Sequence, residues 1–237
     1  VFAHVDRVNE VLDSIIGILK DDGVFIIEAH YLLSLIELNQ FDTVYHEHLR
    51  YYSLHSLKYL LEMHGLEVIH AKKIPSHAGS IRVYAARKGK YPVKDTIPPL
   101  LEEEKSTILK KEILSGFRKK VVVAKLELIS ILRDIKKSGG RVYGIGAPSR
   151  GTTLINYVGI DEQIVNCVLE IKGSQKIDKY GPGTLIPVLE ESKLYIDQPE
   201  YVLLFSWQIA RDLIPKLKEK GFNGKFIVPL PIPHILF

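Results

Sequence analysis

A chain of 237 residues, 46% hydrophobic and 25% charged, is long enough for two modest domains and far in composition from disordered or collagen-like chains. A formal charge of +4 provides no basic stripe of the kind nucleic-acid binders carry, so neither DNA nor RNA is expected as a partner. The single cysteine, Cys167, excludes a disulfide framework and a thiolate zinc cluster from this chain, and makes a reducing, cytoplasmic setting the default.

The chain opens on Val1-Phe-Ala-His, an apolar run without an initiator methionine. It reads as the end of a buried strand, and the chain is expected to be a fragment. From Asp6 to Lys20, Val8, Val11, Leu12, Ile15, Ile16 and Leu19 recur at helical spacing, and Asp21-Asp22-Gly23 stops the helix. VFIIE, ending on Glu28, reads as a short buried strand, which together with the preceding helix makes half of an α/β unit. Residues 31–39 can form a short helix. FDTVYHEHLRYYSL follows as a loop or helix start, and Ser53-Leu-His-Ser-Leu introduces a helix that Gly65 ends. LEVIHAKKI and SIRVYAARK, joined by Pro75-Ser-His-Ala-Gly79, read as an antiparallel hairpin with Ile81, Val83 and Ala85 on its packed face.

Pro92, Pro98 and Pro99 mark a linker, and residues from about 100 to 138 read as one long or two consecutive charged helices. From Gly139-Gly140 the pattern becomes strand RVYGIG, glycine-containing loop, helix through Tyr157, and strand IVNCVLE. A Gly/Pro-rich loop, strand YVLLF, a helix over about 208–220 and strand KFIVPL follow. Strands separated by helices predict a parallel sheet with crossover helices. The expected division is 1–90, 91–138 and 139–237. The longest apolar runs, VFII and YVLLF, are strand length, short of the ~20 residues of a membrane helix. No signal segment opens the chain, so no membrane association is expected.

Several stretches can carry chemistry. GIGAPSRGTTLINY follows a strand and opens a helix, so its backbone N–H groups and helix end, with Arg150, Thr152 and Thr153, suit a phosphate. A tight turn with an exposed arginine is an equal reading, because Gly144-x-Gly146 followed by Gly151 departs from GxGxxG and no Walker lysine is present. YHEH admits three readings: a metal chelate through His46 and His48, a proton-transfer cluster of Tyr45, Glu47 and His48, or a polar loop capping the next helix. His77 sits in a Pro/Gly turn, and His4 at the end of VFA would point into a cleft at a sheet's carboxyl edge. Trp207 fits a pocket wall or a core position.

Taken together, VFAHV, the E-x-x-Y of EAHYL, FDTVYHEHLRYYSL, IPSHAGSIRVYAAR, GIGAPSRGTTLINY, KYGPGTLIPV and FIVPLPIP resemble the sugar C-methyltransferase family, from Val1 to Phe237 and in the right order. Those enzymes use S-adenosylmethionine to methylate carbon in nucleotide-linked ketosugars. The resemblance implies an α/β fold: an incomplete Rossmann-type methyltransferase domain followed by a C-terminal Rossmann-like domain that helps hold the nucleotide sugar. Val1 falls near the fourth strand of the methyltransferase sheet. The family's zinc-binding cysteines and glycine-rich S-adenosylmethionine loop are not in this sequence. Zinc is therefore expected only in an N-terminal segment, no metal in this chain, and no residue here is assigned to the cofactor.

By similarity His48 is the general base, Tyr45 and Glu47 orient or polarise the substrate, and His4 faces the same cleft. Substrate-binding residues on the matched motifs are His77, Ser80, Ser149, Arg150, Thr152 and Asn156. Arg150 stands where a lysine is more usual, keeping positive charge for a diphosphate. LEIKGSQKIDKY departs from the family's aspartate and NPxK pattern. The expected partner is a small nucleotide-sugar substrate, and a monomer is favoured. Two alternatives are a non-catalytic nucleotide-sugar-binding module and an NAD-linked oxidoreductase built on the Gly144 loop, with Glu170 as its acidic ribose partner.

Overall fold

The computed structural model describes all residues, 1–237, which divide into two units: Val1–Leu38 with His46–Phe117, and Asn39–Tyr45 with Arg118–Phe237. The chain therefore changes unit within the YHEH stretch, between Tyr45 and His46. No helix is long and apolar enough to cross a membrane.

The first unit runs α1 (Val8–Ile18), β1 (Val24–His30), α2 (Leu32–Glu37), α3 (Leu54–Met63), β2 (Leu66–Ile74), β3 (Ser80–Arg87) and α4 (Ile97–Ser106). Its three strands lie in the order β1-β3-β2, all antiparallel. Ile81, Val83 and Ala85 of β3 are fully buried, as their alternation requires, and pack with Leu12 of α1 and Leu54, Leu57 and Leu61 of α3. Each such aliphatic side chain stabilises the fold by about 1.5–3 kcal/mol on burial. Ser53 starts α3 through a reciprocal cap, its hydroxyl accepting from the Ser56 N–H while the Ser56 hydroxyl accepts from the Ser53 N–H. Gly65 then ends the helical segment at a positive φ of 73°.

Two expectations are corrected here. VFIIE is not buried on both faces, and it pairs antiparallel with β3. β1 alternates, with Ile26 52% exposed against 2% for Ile27, because an antiparallel strand needs only one apolar face. Val1–His4 is not the end of a strand but a turn, closed by the His4 N–H donating to the Val1 carbonyl at 2.9 Å. No ladder partner pairs with it, and a strand exists only where a ladder does.

α4 lies within the stretch expected as linker and arm, and it carries a fully buried carboxylate, Glu104. That group accepts from the Leu54 and His55 N–H groups at the start of α3 and meets His55 Nδ1 at 2.6 Å. First-turn N–H groups have no partner within their own helix, and the dipole there favours an anion, so Glu104 ties α4 to α3. Glu104→Leu strands those donors and is expected to cost about 1–3 kcal/mol. Thermal melting measures it, and an unchanged midpoint removes this role.

α5 (Lys111–Lys137) contains the division between the units, at Phe117 and Arg118. The second unit continues with β4 (Val142–Ile145), α6 (Ser149–Val158), β5 (Val168–Glu170), β6 (Val188–Glu190), α7 (Ser192–Asp197), β7 (Tyr201–Leu204), α8 (Ala210–Glu219), β8 (Lys225–Val228) and β9 (His234–Leu236). The six strands lie in the order β6-β5-β4-β7-β8-β9, parallel except for β9. The chain runs outward from β4 to β5 and β6, then returns to β7 on the other side of β4. The strand order thus reverses at β4, and the loop after β4 occupies the kind of switch point where open α/β sheets bind ligands.

Candidate active site

In the first unit the structure brings His4 and His48 together. Their ring centroids lie 4.9 Å apart at 69°, and Tyr51 stands on His48 at 6.1 Å and 83°. His48 is half-buried between these rings, whereas His46 and Glu47 are exposed. Asn39–Tyr45 belongs to the second unit, so Tyr45 is described with that unit.

The His4 segment is held against the residues that follow His48. The Leu49 N–H donates to the Ala3 carbonyl at 2.8 Å, and the Tyr52 hydroxyl donates to the Phe2 carbonyl at 3.2 Å. Burial raises the Tyr52 pKa, so the phenol remains a neutral donor. The Arg50 guanidinium donates from Nη1 to the Val5 carbonyl and from Nη2 to the Asp6 carbonyl. Arg50 stands inside the quoted motif, yet a basic residue between two tyrosine-rich stretches carries no sequence signal for pairing with carbonyls of residues 5 and 6.

His77 and Ser80 lie at the β2–β3 turn. His77 is exposed and adopts a left-handed conformation with φ 54°, an uncommon state for a residue with a side chain. The Ser80 hydroxyl is buried and donates to the Ser76 carbonyl at 3.0 Å. Glu28, at the neighbouring end of β1, is held by Arg82 at 2.7 Å and by the Ser76 hydroxyl at 2.9 Å, and these donors lower its pKa.

In the second unit, Arg150 faces inward. Its Nε lies 3.2 Å from Asp42 Oδ2 and its Nη2 3.3 Å from both Asp42 Oδ1 and Gln40 Oε1, with the guanidinium 5.6 Å from the Trp207 ring centroid. Trp207 is a core residue, and its indole N–H donates to Asp42 Oδ2 at 2.8 Å. Asp42 is 1% exposed and Arg150 13%. Burial lifts the Asp42 carboxyl above its usual range, with Arg150 and Trp207 pulling it partly back, and burial lowers the Arg150 pKa. The arginine is therefore committed to a buried carboxylate. Asp42 lies inside FDTVYHEHLRYYSL, but the sequence reading gives it no role.

The loop after β4 turns at Gly146, whose φ of 79° favours glycine and whose Cβ position would meet Ser206 Oγ. Beside it lies a cavity of about 270 Å³ whose lining includes Ser149, Thr152, Lys176, Lys179 and Tyr180. Lys176 Nζ donates to the Ala147 carbonyl at 2.6 Å. Asn156 stands outside this lining, with its amide donating to the Thr152 and Pro182 carbonyls and so fastening the following loop to α6. Thr153 Oγ1 donates to the Val44 carbonyl at 3.4 Å. Glu170 accepts the Ala147 N–H and so closes the loop on itself, which takes from the NAD-linked reading its acidic ribose partner.

No group of three or more His, Cys, Asp or Glu side chains is placed to hold a metal ion. β1 passes into α2 through His30-Tyr31, without the glycine-rich turn that lets a backbone approach a nucleoside.

Matches to known families give the class of this chain, a methyltransferase. Residues 75–231 match the model of the C-methyltransferase C-terminal domain, and residues 1–71 match that of a methyltransferase domain. The chain belongs to the C-methyltransferase family. It is 34% identical over 238 residues to C-methyltransferase NovU of Streptomyces niveus, an alignment covering 99% of this chain and 56% of that protein.

Proposed function

We propose that this chain serves C-methyl transfer from S-adenosylmethionine to a carbon next to the ketone of a nucleotide-linked deoxyketosugar, with His48 as the general base. The observation that carries the reading is His48 itself: a half-buried imidazole, flanked by His4 and Tyr51, in a segment anchored by backbone hydrogen bonds. A ketone acidifies the adjacent C–H. His48 takes that proton, and the C–H electron pair becomes the enolate that donors around the site stabilise. Family membership implies that S-adenosylmethionine supplies the electrophilic methyl group. The steps assigned to this chain concern substrate orientation and the proton. Methylated sugar formed with labelled S-adenosylmethionine tests the reading, and a chain that binds a nucleotide sugar but never transfers a methyl group leaves the binding-module alternative.

The second unit offers the nucleotide its cavity. With Arg150 committed to Asp42, Lys176 and Lys179 are the cations that face a diphosphate there, and Ser149 and Thr152 add hydroxyl donors. The Lys176→Met/Lys179→Met double variant is expected to weaken binding of a nucleoside diphosphate by about tenfold at low salt and less at high salt, because exposed charges are screened. Calorimetry at two ionic strengths measures it. Equal affinity of the variant and the wild type excludes this cavity.

A further inference from the structure

Phe2, Ala3, Val5 and Asp6 all present their carbonyls to donors from the short stretch Leu49–Tyr52. His4 sits inside the clasped segment, with Ala3 and Val5 on either side, and His48 directly precedes the clasping stretch. The flanking peptides of one imidazole are thus tied to the residues next to the other. Arg50 provides two of the bonds from one planar group, to Val5 and Asp6. A guanidinium suits this task because its donors diverge at fixed angles, so two carbonyls are held at a set spacing. Without it, the bonds from Leu49 and Tyr52 both fall on the amino-terminal side of His4.

We infer that Arg50 is a positioning residue for the reaction: by pinning the Val5 and Asp6 carbonyls it fixes His4 against His48 and so sets the ring geometry in which His48 acts. This rests on the reading of His48 as the base. The guanidinium touches no reacting atom in this role. Its effect falls on the rate of proton removal, since catalytic groups displaced by about 1 Å commonly lose on the order of 10²-fold in rate.

The test compares Arg50→Met, which keeps the aliphatic stem and removes the donors, with Arg50→Lys, which keeps the charge and loses the fork. Two rates are read: methyl transfer, and exchange of the acidic carbon-bound hydrogen of a nucleoside-diphosphate 4-ketohexose with deuterated water when the methyl donor is left out. Arg50→Met is expected to lower kcat and the exchange rate by about 10- to 100-fold with KM within about threefold of wild type, and Arg50→Lys to fall between. Exchange isolates the proton step, which a general loss of stability does not single out. Should Arg50→Met fail to fold, Arg50→Lys decides: slowed exchange at an unchanged melting temperature supports the role, and wild-type exchange overturns it.

His48→Gln is run in parallel. Exchange retained in His48→Gln removes the base, and the Arg50 role with it. Exchange lost in His48→Gln but kept at the wild-type rate in the folded Arg50 variants removes the Arg50 role alone.

Discussion

His48→Gln is expected to lower kcat for methyl transfer by at least about 10²- to 10⁴-fold, the range a positioned general base contributes, while nucleotide affinity stays within about threefold. Glutamine preserves much of the polar shape of histidine but cannot accept a proton at neutral pH, so the substitution removes the chemistry and little of the packing. The cavity proposed for the nucleotide has its lining in the second unit, with none of it in YHEH. His4→Asn is expected to cost less, about tenfold, because its ring stands at the edge of His48 and supports the base without being it. The exchange assay separates these effects. Wild-type turnover in His48→Gln would transfer the role of base elsewhere, and a loss confined to KM would make His48 a substrate contact.

Much of the architecture was legible because periodicity reports burial directly. Helix spacing places α1, and alternation at Ile81, Val83 and Ala85 places the packed face of β3. β6 and β9 left no such trace: each has three residues, one after a Gly/Pro-rich loop and the other after alternating prolines, and three residues are too few to establish a period. β1 misled for a different reason. VFII is uniformly apolar, so its sequence cannot tell a two-faced buried strand from one whose Val24 and Ile26 face outward.

At the site, the motif histidines stood out as residue types, and the structure places the His4 and His48 rings 4.9 Å apart. Their supports did not stand out. Arg50 acts through backbone carbonyls, which every residue has, so nothing in the sequence marks residues 5 and 6 as its partners. Arg150 shows the reverse problem. An arginine at a helix start after a glycine turn is what a phosphate site needs, but a carboxylate more than a hundred positions away reaches it first.

Arg150→Met is expected to destabilise the fold by about 3–5 kcal/mol at neutral pH, since it leaves the Asp42 carboxylate buried without its cation. The loss should depend on pH. Burial already raises the folded-state pKa of Asp42 above its unfolded value, and removing the arginine raises it further. Between those two pKa values the folded protein binds more protons than the unfolded one, so stability falls as pH rises through that window. Acidification into the carboxylate range therefore protonates Asp42 in the folded variant and narrows the gap to wild type.

Adding Asp42→Asn to Arg150→Met should recover the stability to within about 1 kcal/mol of wild type, because a neutral amide needs no cation and its oxygen still accepts the Trp207 indole N–H. Urea unfolding at about pH 7.5 and about pH 5 on the three proteins measures both effects. A loss of equal size at the two pH values would show that Asp42 does not bear an uncompensated charge. If Arg150→Met instead keeps full stability but loses nucleoside-diphosphate affinity, the guanidinium serves the ligand and its contact with Asp42 is incidental. The buried pair predicts the opposite split: stability lost through the single variant, regained through the double, with the Lys176 and Lys179 cavity still binding in both.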